Sequence, residues 1–299
     1  MAIPTNILFI SLLIIPMFVC IGIIYFIKSF SDKRRIYPFD VAKTARTPGY
    51  SLISQIIDST WNVAFYIMFI FFSCVLPFAI AGFSFYADTQ VASLSTTIFI
   101  SICIFIYFGI KFLKEFLKLN QLKVGLEAEW AVGNKLNELQ QLGYKVFHDV
   151  QADNFNIDHL VVGSNGVFAI ETKGRRKPLV KSKGQNKPRN KQFNVVVKGT
   201  LLEFPTWKDT KSVEQAIRQG KWVSNWLTKS TGQEIQAAAV LIIPGWYIER
   251  KEKPIIPVLP HNNLANTFPK LLGSSLDSKT IDRICYQIAQ RVQRGSNSL

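Results

Sequence analysis

Residues 156–174 read Asn-Ile-Asp-His-Leu-Val-Val-Gly-Ser-Asn-Gly-Val-Phe-Ala-Ile-Glu-Thr-Lys-Gly. Leu160-Val161-Val162 and Val167-Phe168 are strand formers, and the Gly163-Ser164-Asn165-Gly166 turn between them carries the residues that tight hairpin loops demand. Side chains alternate faces along a strand, so Glu171 and Lys173 point the same way. Asp158 is placed by register. A Ser164-Asn165 loop sets Asp158 opposite Glu171, and an Asn165-Gly166 loop sets it opposite Lys173. Both registers gather Asp158, Glu171 and Lys173 on one face, where opposed Cβ atoms lie about 4.5–5.5 Å apart. A bulge between them would break the inference.

Two adjacent carboxylates repel each other, and a hard divalent cation relieves that repulsion while holding phosphate oxygens and a water. A lysine beside them would orient or help deprotonate that water, or neutralise charge developing on phosphorus. Glu-x-Lys alone is a common surface ion pair. The added aspartate, the hairpin parity and the apolar surroundings are what lift the trio above that reading.

The stretch from about Gly125 to Leu227 resembles the nuclease-related domain family, NERD, a branch of the PD-(D/E)XK nuclease-like fold. Gly125 to Val132 looks like the family's opening helix with its Gly-Glu-x-x-Val signature. Asn156-Ile157-Asp158-His159 and Ile170-Glu171-Thr172-Lys173 look like the Asp and Glu-x-Lys blocks, and Ser212 to Ala216 like the later glutamine helix. The resemblance implies an α/β fold with a mixed sheet flanked by helices. It also implies Glu129, Asp158, Glu171, Lys173 and Gln215 as active-site positions, with Glu129, Asp158 and Glu171 holding Mg²⁺ or Mn²⁺. Ala128 stands where the signature has glycine, which leaves Glu127 as a rival to Glu129.

Val124 to Leu142 reads as a helix with an apolar stripe of Leu126, Val132, Leu136 and Leu139, stopped by Gly143. Gln215 and Gln219, four apart, share a face of a second helix running through Trp222, Trp226 and Leu227. His159 is read as structural. His148 and His261 have no second ligand near them in sequence, so zinc finds little support. Four cysteines without paired spacing argue against a disulfide framework and are compatible with a reducing cytosol.

The first 119 residues read as a membrane anchor. Asn6–Ile27, Trp61–Ala87 and Leu94–Ile110 are free of charge, and about 20 apolar residues span a bilayer core. Spans are therefore expected at about 6–27, 61–87 and 94–113. No basic residue precedes the first run, which is also longer than the apolar part of a signal peptide. Lys28, Lys33, Arg34, Arg35, Lys43 and Arg46 lie between the first two runs, and Lys111, Lys114, Lys118 and Lys123 follow the third. Positive-inside logic puts the 28–60 loop in the cytosol, the amino terminus outside, and residues 120–299 in the cytosol beneath the cell (inner) membrane. Ionisable residues are absent from all three apolar runs, which argues against transport.

Residues 120–299 suffice for one α/β domain. Strands are expected at 144–150, 157–162, 167–173, 193–197, 236–243 and near 255–259, with a last helix over 278–291. This part holds 26 Lys and Arg against 15 Asp and Glu. Nine of those bases fall between Lys173 and Lys191, a stretch with no acid. Arg175, Arg176, Lys177, Lys181, Lys183, Lys187, Arg189 and Lys191 are thus candidates to hold a phosphate backbone, DNA ahead of RNA, without reading sequence. Anionic lipid headgroups are the competing partner. A catalytically silent module that docks nucleic acid or protein is the alternative to an enzyme.

Overall fold

The computed structural model describes residues 38–86, 93–177 and 193–293, with isolated helical positions between 19 and 30. All but a few positions of the expected first span, and residues 178–192 of the basic loop with Lys181, Lys183, Lys187, Arg189 and Lys191, lie outside the described residues. The chain divides into two compact units, Met1–Asp40 with Ile57–Leu119, and Val41–Ile56 with Asn120–Leu299.

In the first unit, helix α1 (Tyr50–Tyr86) and helix α2 (Leu94–Asn137) contribute their apolar parts. Phe69 stacks on Phe108 at 4.5 Å, and the Ser59 hydroxyl donates to Glu115 at 2.7 Å. Small polar residues are buried here, Ser59, Ser73, Thr97 and Ser101, while Phe71, Phe78, Phe85 and Phe99 are exposed. This inverts the pattern of a water-soluble bundle, which turns its large apolar side chains inward. Among the described residues two helices are long and apolar enough to cross a membrane.

The second unit is a mixed α/β fold with two mixed sheets flanked by helices, where one sheet was expected. Strands β1 (Lys145–Gln151), β2 (Asn156–Gly163) and β3 (Gly166–Thr172) form an antiparallel meander. Strand β4 (Asn194–Lys198) pairs with β5 (Leu201–Glu203), which pairs with β6 (Lys208–Asp209). Helix α3 (Lys211–Thr231) follows. Strand β7 (Ala237–Ile242) returns parallel to β3, β8 (Tyr247–Arg250) joins β4, and β9 (Val258–Leu259) joins β7. Short helix α4 (Leu264–Thr267) and helix α5 (Ser278–Arg291) complete the unit.

Strand β3 lies between an antiparallel and a parallel neighbour, and every one of its residues is buried. That explains its unbroken apolar run, the signature of a strand covered on both faces. Phe168 and Ile170 join Val132 and Leu136 of α2 and Leu139 of the turn that follows it, whereas Val167 and Ala169 join Val223 and Leu227 of α3 and Ile284 and Ile288 of α5. Close helix–sheet contact has a visible device at Gly220 of α3, where a Cβ would lie 3.0 Å from that of Ala239 in β7.

Four short elements escaped the sequence reading: β5, β6, β8 and α4. Each spans two to four residues, too few to show a period. Helix α2 also begins thirty residues before the expected start at Val124, because the apolar run and the amphipathic stretch join without a cap. The larger difference concerns Val41–Ile56, read from sequence as part of a loop of the anchor. It packs in the second unit, held by an Arg46 N–H donation to the Val292 carbonyl at 2.8 Å and an ion pair between Arg46 and Asp149 at 3.2 Å.

Candidate active site

The β2–β3 hairpin adopts the first register, with His159 opposite Ile170 and Gly163 opposite Gly166. Ser164 and Asn165 form the loop, and extending the ladder sets Asp158 against Glu171. The strict alternation does break nearby, since Ile157 and Leu160 face the same apolar cluster. Even so, the Asp158 carboxylate is fixed at the strand end by the Thr172 N–H, which donates to it at 2.6 Å.

Lys173 follows the last residue of β3 and reaches back to Glu171, Nζ to Oε1 at 2.5 Å. The same ammonium donates to Gln215 Oε1 at 2.9 Å. One turn further along α3, Gln219 Nε2 donates to the other Glu171 oxygen at 2.5 Å and to the Asn156 carbonyl at 3.2 Å. The helix thus grips both members of the Glu-x-Lys pair from one face. Gln219 is a site residue that the sequence reading left out, although its four-residue spacing from Gln215 was the signal.

Glu129 arrives from α2 and is buried, whereas Glu127 is exposed, which decides between them. Its approach depends on Gly174, where a Cβ would stand 2.6 Å from the Val124 carbonyl oxygen and 2.9 Å from the Ala128 Cβ. A side chain at position 174 would push that turn of α2 away. Burial, followed by the charges of Asp149 and Glu171, lifts the Glu129 carboxyl to about 8, against the pull of a hydrogen bond from the Gly49 backbone and of Lys173. Burial, followed by Glu171 and Glu129, holds Asp158 well above the carboxylate range. Three carboxylates therefore crowd around one lysine, and burial together with their mutual repulsion favours the protonated form of Glu129 and Asp158.

The segment ahead of α1 shapes this site, which sequence reasoning missed. Gly49 takes the left-handed φ of 71° and Trp130 Nε1 donates to the Pro48 carbonyl at 3.0 Å. Asp149, a non-glycine residue at φ 49°, is buried and accepts from Arg46, from the Ser51 N–H at 3.3 Å and from the Ser51 hydroxyl at 2.6 Å. Nothing in the sequence connects Arg46 to a position 103 residues away.

Donor chemistry and charge at the site fit a hard divalent cation: carboxylate oxygens short of positive charge, with Gln219 Oε1 buried and without a hydrogen-bond partner. As they stand, the carboxylates are not a preformed cage. Among the described residues no group of three or more His, Cys, Asp or Glu is arranged to hold a metal. Both Glu171 oxygens are engaged, one by Lys173 and one by Gln219.

Residues 124–244 match the family of the nuclease-related domain, NERD. The match contains Glu129, Asp158, Glu171, Lys173 and Gln215, and it leaves out Val41–Ile56 and α5. No curated protein and no solved structure matches the chain.

Of the described basic candidates, Arg175 is tied to Asp209 at 2.9 Å, and Lys177 lies 4.5 Å over the Phe193 ring. Arg176 and Lys177 are exposed. His148, which has no second ligand near it in sequence, meets His159 across β1 and β2, Nδ1 to Nδ1 at 2.9 Å. Burial lowers His148 to about 4 and His159 well below the usual range, so the pair is neutral and one ring nitrogen donates to the other. Burial also pushes the Cys285 thiol up to about 11, which suits a core residue and not a nucleophile.

Proposed function

We propose that the unit formed by residues 41–56 and 120–299 is a PD-(D/E)XK-type nuclease that hydrolyses nucleic-acid phosphodiesters, DNA ahead of RNA, with Mg²⁺ or Mn²⁺. The observation that carries this is the Lys173 ammonium shared between Glu171 and Gln215, beside the carboxyls of Glu129 and Asp158, both raised by desolvation and by neighbouring acids. Glu129, Asp158 and Glu171 would hold the cation, which supplies charge neutralisation at phosphorus and acidifies a water. Lys173 Nζ positions that water or a phosphate oxygen by hydrogen bonding and stabilises the extra negative charge of the transition state. Gln215 holds the lysine in place, and Gln219 fixes the orientation of Glu171. In the reaction a water oxygen bonds to phosphorus, one ester P–O bond breaks, and the leaving oxygen takes up a proton.

The apolar helices support an anchor in the cell (inner) membrane. The bases that flank them support placing this unit on the cytosolic side, as does the expected first span with an outside amino terminus. A second reading is favoured by the engaged oxygens of Glu171: a silent nuclease-like module that binds nucleic acid or protein without turnover.

The deciding experiment uses the full chain in detergent, titrated calorimetrically with Mn²⁺ and Mg²⁺ with and without a nucleic-acid ligand, and assayed for cleavage of DNA and RNA. Catalysis predicts cation binding near one equivalent and cleavage, both lost in Asp158→Ala, and cleavage lost in Lys173→Ala. Nucleic-acid binding that survives Asp158→Ala with no cleavage under any cation would leave the docking module standing.

A further inference from the structure

Beside the carboxylates, Lys173 and Gln215 form one wall of a cleft of about 390 Å³ that continues past Arg175, Trp207, Lys208 and Lys211. Four cations line it against one carboxylate, Asp209, which is consumed by Arg175 at 2.9 Å and by the Ser212 hydroxyl at 2.7 Å. Trp207 is half-buried and held in place by Phe204, stacked at 4.4 Å with an interplanar angle of 11°. Lys208 and Lys211 are both exposed, and Lys208 is kept in position by Glu203 at 3.2 Å. None of Trp207, Lys208 and Lys211 belongs to the residues implied by the family resemblance, and all three lie outside the basic loop.

We propose that this cleft is a subsite for one unpaired nucleotide flanking the scissile phosphodiester, so that the preferred ligand is single-stranded nucleic acid. The inference rests on the nuclease reading of the adjoining carboxylates and names the substrate form that they receive. Its volume is at the small end of ligand sites, suited to a single nucleotide and not to a turn of duplex about 20 Å across. Cationic grooves that follow a backbone, combined with an aromatic side chain for the base, are how single strands are held without sequence preference. Lys208 and Lys211 would take the phosphate, Trp207 the base, and Arg175 the link to the phosphate lodged at Lys173.

The test is fluorescence anisotropy with the full chain carrying Asp158→Ala, in neutral-lipid nanodiscs and EDTA. The probe is a labelled ten-nucleotide oligodeoxythymidine, compared with its duplex. Single strand should bind more tightly than duplex, Trp207→Leu should weaken it about tenfold, and Trp207→Tyr should retain most of the affinity. Lys208→Ala with Lys211→Ala should weaken binding and lower the salt slope by about one. Should Trp207→Leu lower the melting temperature, the exposed lysine pair decides. Equal or tighter binding of duplex, an unchanged salt slope in the lysine variant, or displacement by anionic lipid vesicles but not by excess oligonucleotide would each overturn the proposal. Failure here with Mn²⁺-dependent cleavage intact would sink the subsite alone. Success here with no cleavage under any cation would sink catalysis alone.

Discussion

Arg46→Ala should destabilise the α/β unit although position 46 lies almost eighty residues before the matched domain. The Arg46 and Asp149 side chains are 3% and 2% exposed and sit 3.2 Å apart. Removing one member of such a pair leaves an uncompensated buried charge, at a cost of about 3–5 kcal/mol. For a unit of this size each kcal/mol moves the melting temperature by about 2–4 °C, so a fall of roughly 6–20 °C is expected. Adding Asp149→Asn should recover part of the loss. Asparagine tolerates the left-handed backbone at that position and still accepts from Ser51, but it brings no charge. The assay is thermal unfolding of the full chain in detergent, followed by tryptophan fluorescence, since all six tryptophans but Trp61 lie in this unit. A loss below about 1 kcal/mol, or a double variant no better than Arg46→Ala, would refute the assignment of residues 41–56 to this unit.

Gly174→Ala should cost about 1–3 kcal/mol in chemical denaturation and weaken cation binding, because the new methyl meets the backbone of Val124 at 2.6 Å and displaces the turn bearing Glu129. Without divalent cations, stability should fall as pH rises. Glu129 holds its proton more tightly folded, at about 8, than unfolded, at 4.5, so its contribution is complete below 4.5 and lost through 8. The shift corresponds to at most about 4–5 kcal/mol; melts at pH 5 and pH 9 in EDTA check this, and Glu129→Gln should flatten the dependence. Gln219→Ala should lower the rate of cleavage more than it raises KM, since it frees a Glu171 oxygen without touching substrate; unchanged kcat would count against that role. Residues 120–299 expressed alone should fail to give a cooperative melt, whereas a chain in which a flexible linker replaces residues 57–119 should give one, as judged by calorimetry.

Legibility followed sequence distance and element length. The hairpin was readable because apolar runs and a Gly-Ser-Asn-Gly turn are local signals, and the last helix came out at 278–291 because Asp277 caps it by accepting from the Thr280 N–H. The register, left open by the turn, is the one with Ser164 and Asn165 as the loop. Ala128, a departure from the family signature, turns out to be a demand for a small residue: its methyl faces Gly174 across the α2–β3 contact. The second sheet stayed hidden because β5 and β6 are three and two residues long. What sequence could not supply at all was the strap at Arg46, Gly49 and Ser51, because charge reading alone assigned Arg46 to the membrane loop.

That strap also separates a structural acid from the acids of the site. Asp149 and Asp158 occupy neighbouring strands of one hairpin, and Asp149 and Glu129 are buried to similar depth. Asp149 has a guanidinium and two donors from Ser51, so its burial is compensated. Asp158 has the Thr172 N–H and Glu129 the Gly49 N–H, and neither has a cation of its own. A fold able to build a full set of partners for one carboxylate leaves two others short of charge within reach of a third. Burying acids in that state costs free energy and gives the fold nothing in return. Such convergent, unsatisfied acidity next to a lysine held by Gln215 is what a cation-assisted site requires, and it is the physical reason for testing metal binding before any other function.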